Sequence, residues 1–437
     1  MDSLCSDPRR RSFDSVTTFW AWAGQILSGN AACTQAVAQV QTWCAQSGKT
    51  VPSSNTTAYC AARSRLPGSF IDGVHQQLVT ATEARQRPED LWHGLTLKAI
   101  DGSTARLIDT PANQAEFPQS PNQKPGCGFP LIGFVAVINL STDIWLGAAS
   151  RRWSTHDSVL AGDLLHHFGE GDIVLADRAF NSWDFVTRLR QRGAHSLMRL
   201  HPGRHRKLDW RRGRKLGADE RLLTWPKKRV QTPAWAKSDA ESWAALPEEI
   251  TVRYIRFGYQ TRLGKKQPMI LVTTLLDPVK HPAAEIAKLY ASRWEIEVKL
   301  RDLKTNLGME CFAVRSPAMA RKTLAMMMVA HSLVRAMMQR AGQQAGVRRA
   351  QVSFRSCVDL LLSWQGRHRG PRAGRKRAAS LEWDLLELLA SRKLLLRPGR
   401  REPRAVKLRE KSYSKLTRPR GEFKEIEQRT KKRKACA

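Results

Sequence analysis

The chain has 437 residues, enough for a sizeable core and for two or three domains. Hydrophobic residues make up 42% of it, which excludes a disordered basic tail. The formal net charge of +34 indicates a polyanionic partner, and nucleic acid is the commonest one. An acidic membrane surface is the alternative, but no apolar run is long enough to span a bilayer and no basic amphipathic anchor stands out.

The N-terminal sequence "MDSLCSDPRRRSFDS" has no apolar segment of the secretory type, so we expect a cytoplasmic protein. Eight cysteines are scattered without a C-x-x-C pair. Their spacing suits neither a zinc site nor a disulfide framework, and we expect free thiols. The chain also lacks a Gly-x-x-x-x-Gly-Lys-Ser/Thr loop, which argues against an ATP-driven helicase.

Residues up to about 90 show apolar residues at helical spacing in three stretches, which predicts a small helical domain. A basic helical domain in this place suits sequence-specific DNA docking.

From about residue 95 the pattern changes to strands and helices in the order β-β-β-α-β-α-β, which predicts a mixed α/β sheet. The first strand, "LTLKAIDGST", is predicted to end in Asp101. The apolar run before Asp177 has the character of a buried strand, and this strand also ends abruptly in an aspartate. Arg178, which follows directly, either contacts DNA or braces the strand end.

Residues 201–280 break this order and read as an insertion built mostly of β-structure. After it, "PAAEIAKLYASRWEIEVKLRDLKTNLG" predicts one long helix that Gly308 caps. A strongly apolar helix follows. The last 72 residues hold 24 Lys/Arg against 8 Asp/Glu, a net charge of +16, so nearly half of the surplus charge lies in this basic region.

The long helix carries a row of polar side chains beside its apolar stripe. Because residues advance roughly 100° each, Tyr290, Arg293, Glu297 and Lys304 fall within an arc of roughly 60°. Taken alone, such a row is most often a solvated helix face laced with i,i+4 pairs.

Three carboxylates stand out by position: Asp101 and Asp177 at strand ends, and Glu297 on the helix. Reactive groups gather at strand ends in open α/β sheets. Carboxylate oxygens are the ligands that Mg²⁺ prefers, and two such ions can clamp both reacting oxygens of a phosphodiester. A turn or helix-cap role is the alternative for each aspartate.

The spacing of Tyr290, Arg293, Glu297 and Lys304 resembles the tyrosine-arginine-glutamate-lysine signature of the DDE transposases of bacterial insertion sequences, IS-four type. The segments "AIDGST" and "LADRAF" resemble the surroundings of the two catalytic aspartates of that family, in the expected order. "NTTAYCAARSRLP" and "REPRAVKLREKSY" also resemble segments common in these transposases, so the resemblance covers most of the chain.

The resemblance implies a ribonuclease-H-like catalytic core, a mixed five-stranded sheet with helices, interrupted by the β-rich insertion. Asp101, Asp177 and Glu297 would be catalytic and would bind two Mg²⁺ ions, with Mn²⁺ as a substitute. Tyr290, Arg293, Lys304 and Arg178 would contact DNA. The partners implied are double-stranded DNA, both transposon ends and target, and a second subunit in a homodimer on DNA. No membrane is involved, and the expected location is the bacterial cytoplasm, in association with the nucleoid.

The resulting division has five parts: an N-terminal helical DNA-binding domain (1–90), the first part of the core (91–200), the insertion (201–280), the second part of the core with the glutamate helix (281–345), and a basic C-terminal region for dimerisation or DNA contact (346–437).

The predicted activity is cleavage of the inverted-repeat ends of an insertion sequence by water and joining of the freed 3′-OH ends to target DNA. A ribonuclease-H-like nuclease or resolvase is one alternative, and a non-catalytic DNA-binding relic of a transposase is another. A basic structural protein would give no reason for the strand-end aspartates. In this family a tryptophan of the insertion can stack on a flipped base, and Trp210, Trp225, Trp235 and Trp243 are the candidates. Trp294 is expected either to pack in the core or to lie on the active face.

Overall fold

The structure is a computed structural model that describes residues 12–205, 208–260, 266–364, 375–394 and 416–423. The segment "REPRAVKLREKSY" and the cysteines at the two ends of the chain, Cys5 and Cys436, lie outside these residues. In the described part of the chain, none of the helices combines the length and the apolarity needed to cross a membrane.

The predicted order β-β-β-α-β-α-β is observed, with one additional short helix between the first two strands. The α-helices are α1 (Ser15–Leu27), α2 (Cys33–Gln46), α3 (Thr57–Arg65), α4 (Gly68–Glu83), α5 (Pro111–Glu116), α6 (Asp157–Asp163), α7 (Trp183–Gln191), α8 (Pro202–His205), α9 (Ala240–Ala244), α10 (Ala283–Ala291), α11 (Trp294–Arg301), α12 (Pro317–Ala345), α13 (Phe354–Trp364) and α14 (Arg375–Ala390). The strands are β1 (Thr96–Leu107), β2 (Leu131–Asn139), β3 (Ile144–Arg152), β4 (Asp172–Ala176), β5 (His195–Arg199), β6 (Arg214–Gly217), β7 (Glu220–Pro226), β8 (Glu249–Gln260), β9 (Lys266–Thr273) and β10 (Cys311–Phe312).

The strands form one ten-stranded mixed sheet in the order β3-β2-β1-β4-β5-β9-β8-β7-β6, with β10 beside β1. The first five strands are the expected core: β1, β2 and β3 are antiparallel, and β4 and β5 join β1 in parallel. The fold class, a mixed α/β ribonuclease-H-like core, is confirmed. The insertion strands do not form a second sheet. They continue the core sheet from β5 as an antiparallel meander.

Both faces of the sheet are covered, as the alternation of side chains along β4 illustrates. Ile173 and Leu175 point into the larger core, which α1, α4, α11 and α12 cover. Val174 and Ala176 point to the opposite face, which α6 and α7 cover. Parallel strands are usually apolar and covered by helices on both faces, as β4 is. The apolar part of β4 ends where this cover ends.

The predicted long helix before Gly308 is not continuous, and that prediction is wrong. It is interrupted at Ser292 and Arg293 between α10 and α11, and residues Asp302–Asn306 form a π-helical turn. A π-helical turn changes the angular position of the residues after it. Gly308 ends the segment with φ +72°, the left-handed conformation in which glycine is favoured.

Candidate active site

Strands β1 and β4 run parallel, and their register brings the two predicted aspartates together. The last paired residues are Ile100 and Ala176, so Asp101 and Asp177 follow at equivalent positions on neighbouring strands. Each carboxylate accepts a hydrogen bond from a backbone N–H just after it, at 2.9 Å for Asp101 and 2.7 Å for Asp177. The strand register therefore places two oriented carboxylates side by side.

Asp101 does not end its strand, as the sequence suggested. β1 continues to Leu107 because β2 pairs with it in antiparallel register as far as Arg106. Only the parallel partner β4 stops, and Asp101 is the first residue of β1 beyond that pairing. Its position relative to Asp177 is thus as expected, although its place in the strand is not.

The third carboxylate, Glu297, is joined to this pair through an arginine. Nη2 of Arg293 donates to Oε1 of Glu297 at 2.8 Å. Nη1 of the same guanidinium lies 3.9 Å from Oδ2 of Asp101. The guanidinium therefore bridges the glutamate helix and the aspartate on the sheet. The interruption between α10 and α11 places Arg293 at the start of α11, one turn before Glu297.

The pKa of Asp101 reflects the proximity of the other two carboxylates. The pKa of Asp101 is raised to about 6, chiefly by burial and also by the charges of Asp177 and Glu297, although the Gly102 N–H and the Arg293 guanidinium act in the opposite direction. A strongly perturbed carboxyl with like charges beside it is a common mark of a functional site.

Tyr290 also belongs to this site. Burial raises the pKa of its hydroxyl, Arg293 and Arg199 lower it, and Asp177 raises it. The guanidinium of Arg293 lies 5.9 Å from the centre of the tyrosine ring. For Arg293, burial alone would lower the pKa, but Tyr290 and Glu297 outweigh burial and raise it.

The other two predicted DNA-contacting residues are Arg178 and Lys304. Arg178 is exposed beside Asp177, and Lys304 is half-buried on the π-helical turn. Within the described ranges, no hydrogen bond or ion pair joins either side chain to the three carboxylates. The catalytic and DNA-binding roles of all seven residues stay predictions.

A fourth acidic residue near the site was missed by the sequence reasoning. Asp157 is the first residue of α6, and burial raises its pKa, as does the charge of Asp177. A Cβ added at Gly102 would lie 2.6 Å from an oxygen of the Asp157 carboxylate. Glycine after Asp101 therefore lets α6 approach β1. The sequence "THDS" signals only a helix start, which explains the omission.

A buried ionic cluster anchors the glutamate helix. Asp143, in the β2–β3 turn, lies 3.1 Å from Nζ of Lys299 and 3.7 Å from Nη1 of Arg335. Nη2 of Arg335 donates to Asp302 at 2.7 Å. Lys299 and Asp302 flank the end of α11, so this cluster fixes α11 to the sheet and to α12. The sequence gives no local signal for it, because its members are up to 192 residues apart in the chain.

Known proteins resemble this chain over most of its length. A family model described as a transposase DDE domain matches residues 92–333, more than half of the chain. The chain belongs to the DDE transposases. It is 29% identical over 370 residues to the transposase InsG for insertion sequence element IS4 of Escherichia coli strain K12, covering 82% of this chain and 77% of that protein. The predicted family, the DDE transposases, is confirmed, and this relative is the transposase of an IS4 element.

A solved structure of a piggyBac transposase synaptic complex with hairpin DNA covers 87% of this chain and 79% of its own. Its sequence identity is 12% and its TM-score 0.42, so the assignment does not depend on this likeness.

The insertion tryptophans of this transposase have packing partners. Trp225 is buried and its indole N–H donates to the Tyr254 hydroxyl at 2.8 Å. Trp235 donates to Asp184 at 3.0 Å and its ring meets the ring of Trp243 at 5.8 Å. Trp210 lies under two arginine side chains. By contrast, Trp294 next to Arg293 is 56% exposed and does not pack in the core, and a place on the active face stays a prediction.

The family implies a divalent metal, and the donor set of this transposase fits Mg²⁺ in its chemistry. Asp101, Asp177 and Glu297 offer only carboxylate oxygens, the hard ligands that Mg²⁺ takes. Within the described ranges, however, no three His, Cys, Asp or Glu side chains are gathered closely enough to form a metal site. The Arg293 guanidinium lies between Glu297 and Asp101 instead, and its positive charge compensates the carboxylates.

Proposed function

We propose that this transposase binds the inverted-repeat ends of an insertion sequence, cleaves them and joins the 3′-OH ends to target DNA. The observation that carries the proposal is the register of β1 and β4, which places Asp101 beside Asp177, with Glu297 linked to them through Arg293. Phosphoryl transfer depends mostly on positioning and charge stabilisation, and side chains held on two neighbouring strands of the sheet can provide both.

Asp101, Asp177 and Glu297 are the residues that would hold two Mg²⁺ ions, with Mn²⁺ as a substitute. When bound, the ions would activate the attacking oxygen and stabilise the leaving one. The backbone hydrogen bonds of the two aspartates hold one oxygen of each carboxylate in place and leave the other available as a ligand.

Arg293 has two roles in this proposal. Without DNA, its guanidinium compensates the carboxylates of Glu297 and Asp101. With DNA bound, a phosphate is a competing acceptor, because a guanidinium binds phosphate in bidentate geometry. Tyr290 contacts the guanidinium and orients it. Release of Arg293 to the phosphate would free Glu297 to serve as a ligand.

The same proposal gives double-stranded DNA as the partner, with Lys304 and the exposed Arg178 as further phosphate contacts. The net charge of +34 supports binding to a polyanion. Two ends must be held together for transposition, so a homodimer on DNA is the expected assembly, in the cytoplasm and at the nucleoid.

The first test is cleavage of a DNA fragment that carries the inverted repeats flanking this gene, with Mg²⁺ compared with Ca²⁺. Glu297→Gln is expected to abolish cleavage and to retain binding of the ends. Glu295→Gln is the matched control, since Glu295 lies on the same helix and is exposed. It is expected to cleave normally.

Retained cleavage in Glu297→Gln would refute the metal-ligand role. Cuts scattered along the DNA would favour the nuclease, and binding without any cut by the unaltered protein would favour the DNA-binding relic.

A further inference from the structure

Two cysteines that are 27 positions apart in sequence meet in the N-terminal helices. Cys33 is the first residue of α2 and Cys60 lies in the middle of α3. Their sulfur atoms are 3.8 Å apart, which is van der Waals contact. Both are free thiols; Cys60 is exposed and Cys33 is half-buried. Formation of a disulfide requires the sulfurs to approach by about 1.8 Å, a distance that side-chain rotation can cover.

The surroundings distinguish the two sulfurs. Cys33 accepts from Nη1 of Arg63 at 3.4 Å and from Nε2 of Gln25 at 3.7 Å. Arg63 is itself buried, with its guanidinium 4.5 Å from the ring of Trp22. Burial raises the pKa of Cys60, as does the neighbouring Cys33 sulfur, while Arg63 acts in the opposite direction.

We propose that Cys33 and Cys60 are a redox modification site that closes to a reversible disulfide by exchange with a small-molecule disulfide. The exposed Cys60 reacts first: its thiolate attacks one sulfur of the small disulfide, a mixed disulfide forms, and one small thiol leaves. The Cys33 thiolate then attacks the Cys60 sulfur, the protein disulfide forms, and the second small thiol leaves. Two protein thiols are oxidised, one small disulfide is reduced to two thiols, and the protons go to the released thiols.

This assignment separates the pair from the other described cysteines. Cys44 and Cys357 are buried and therefore inaccessible to a disulfide reagent, Cys127 is half-buried, and Cys311 is exposed. Cys311 lies on β10, far from the pair in sequence, and serves as the matched control: it offers access without the Cys33–Cys60 contact. The exchange is expected to be reversible, because a small thiol can reach the exposed Cys60 sulfur of the disulfide just as a small disulfide can reach the Cys60 thiol.

The test uses the full chain, reduced and freed of reductant, with oxidised glutathione as the probe. After timed quenching and alkylation, peptide mass mapping measures the mixed disulfide at each cysteine and the Cys33–Cys60 cross-link. We expect the cross-link to accumulate in the unaltered chain. The amount of glutathione adduct at Cys60 is expected to stay at least tenfold below the amount in Cys33→Ser, because that variant has no second thiol to displace the glutathione. Cys311→Ser is expected to leave the cross-link rate unchanged. The rate at which Cys60 reacts with oxidised glutathione is expected to keep rising at alkaline pH, since the pKa of the Cys60 thiol is raised.

Excess reduced glutathione is expected to restore both thiols. The proposal is overturned if Cys60 in the unaltered chain accumulates the adduct as fully as Cys33→Ser does. It is also overturned if Cys60 stays unreacted while Cys311 is modified. Because the cross-link is measured in the unaltered chain, a folding defect of a variant does not remove the test.

Discussion

Removal of the Lys299 charge tests whether the buried ionic cluster holds the glutamate helix in place. Lys299→Met keeps the length of the side chain and removes the ammonium group that lies 3.1 Å from Asp143, while Arg335 stays at 3.7 Å. The side chains of Asp143 and Lys299 are only 3% and 10% exposed, so water cannot replace the lost partner. Breaking a buried pair by removing one partner costs roughly 3–5 kcal/mol, and the remaining Arg335 favours the lower end of that range.

The assay is urea unfolding followed by tryptophan fluorescence, with the midpoints compared at equal slope. Lys288→Met on the exposed side of α10 is the matched control and is expected to change the unfolding free energy by no more than about 0.5 kcal/mol. Asp143 has φ +64°, a conformation that asparagine tolerates, so Asp143→Asn removes its charge without new backbone strain. The double variant Lys299→Met with Asp143→Asn is expected to lose less than the sum of the two single losses. If Lys299→Met costs no more than Lys288→Met, the cluster does not anchor α11 and the reasoning fails.

Three further outcomes follow from single side chains. Arg293→Ala and Lys304→Ala are each expected to reduce the slope of log binding constant against log salt concentration by about 0.9, measured by fluorescence anisotropy on end DNA; unchanged slopes would contradict phosphate contacts. Burial lowers the pKa of His331 well below its usual value, so the unfolded chain takes up a proton there as pH falls below about 6.5 while the folded chain does not. Stability therefore decreases as the pH is lowered through that range. His331→Leu is expected to show a smaller drop of melting temperature between pH 7 and pH 5. An unchanged drop would remove His331 as a cause. Gly308→Ala places a Cβ 2.7 Å from a backbone oxygen at φ +72° and is expected to lose about 1–2 kcal/mol of unfolding free energy. Gly169→Ala is the control, because there is open space around Gly169, and it is expected to show no such loss. Equal losses in the two variants would show that the left-handed conformation is not the cause.

The sequence predicted what short-range patterns determine. The apolar run before Asp177 ends with the covered part of the sheet, and helical spacing placed Arg293 and Glu297 one turn apart, where they form an ion pair. The length of β1 was missed because its polar second half reads as a turn, and it is pairing with β2, and with β10 at its end, that makes it a strand. The π-helical turn was missed because constant angular spacing was assumed, so the predicted row ends before Lys304.

Contacts between distant segments could not be read from the sequence at all. Asp157 approaches Gly102 across two elements, and the Cys33–Cys60 contact depends on how α2 packs beside α3. In each case the local sequence is ordinary, and only the packing of helices on the sheet gives the residues their neighbours. Long-range electrostatic and sulfur contacts of this kind depend on the tertiary structure.

The N-terminal helices share their core with the catalytic half of the chain. Phe19, Trp22 and Phe70, on α1 and α4, belong to the same buried cluster as α11 and α12. A division at residue 90 stays a prediction about function, but apolar packing crosses it, and removing residues 1–90 would expose that cluster to water. Loss of end recognition in such a truncation would therefore not separate binding from folding. A charge change at Arg65, which is exposed at the end of α3, leaves this core intact and makes that separation.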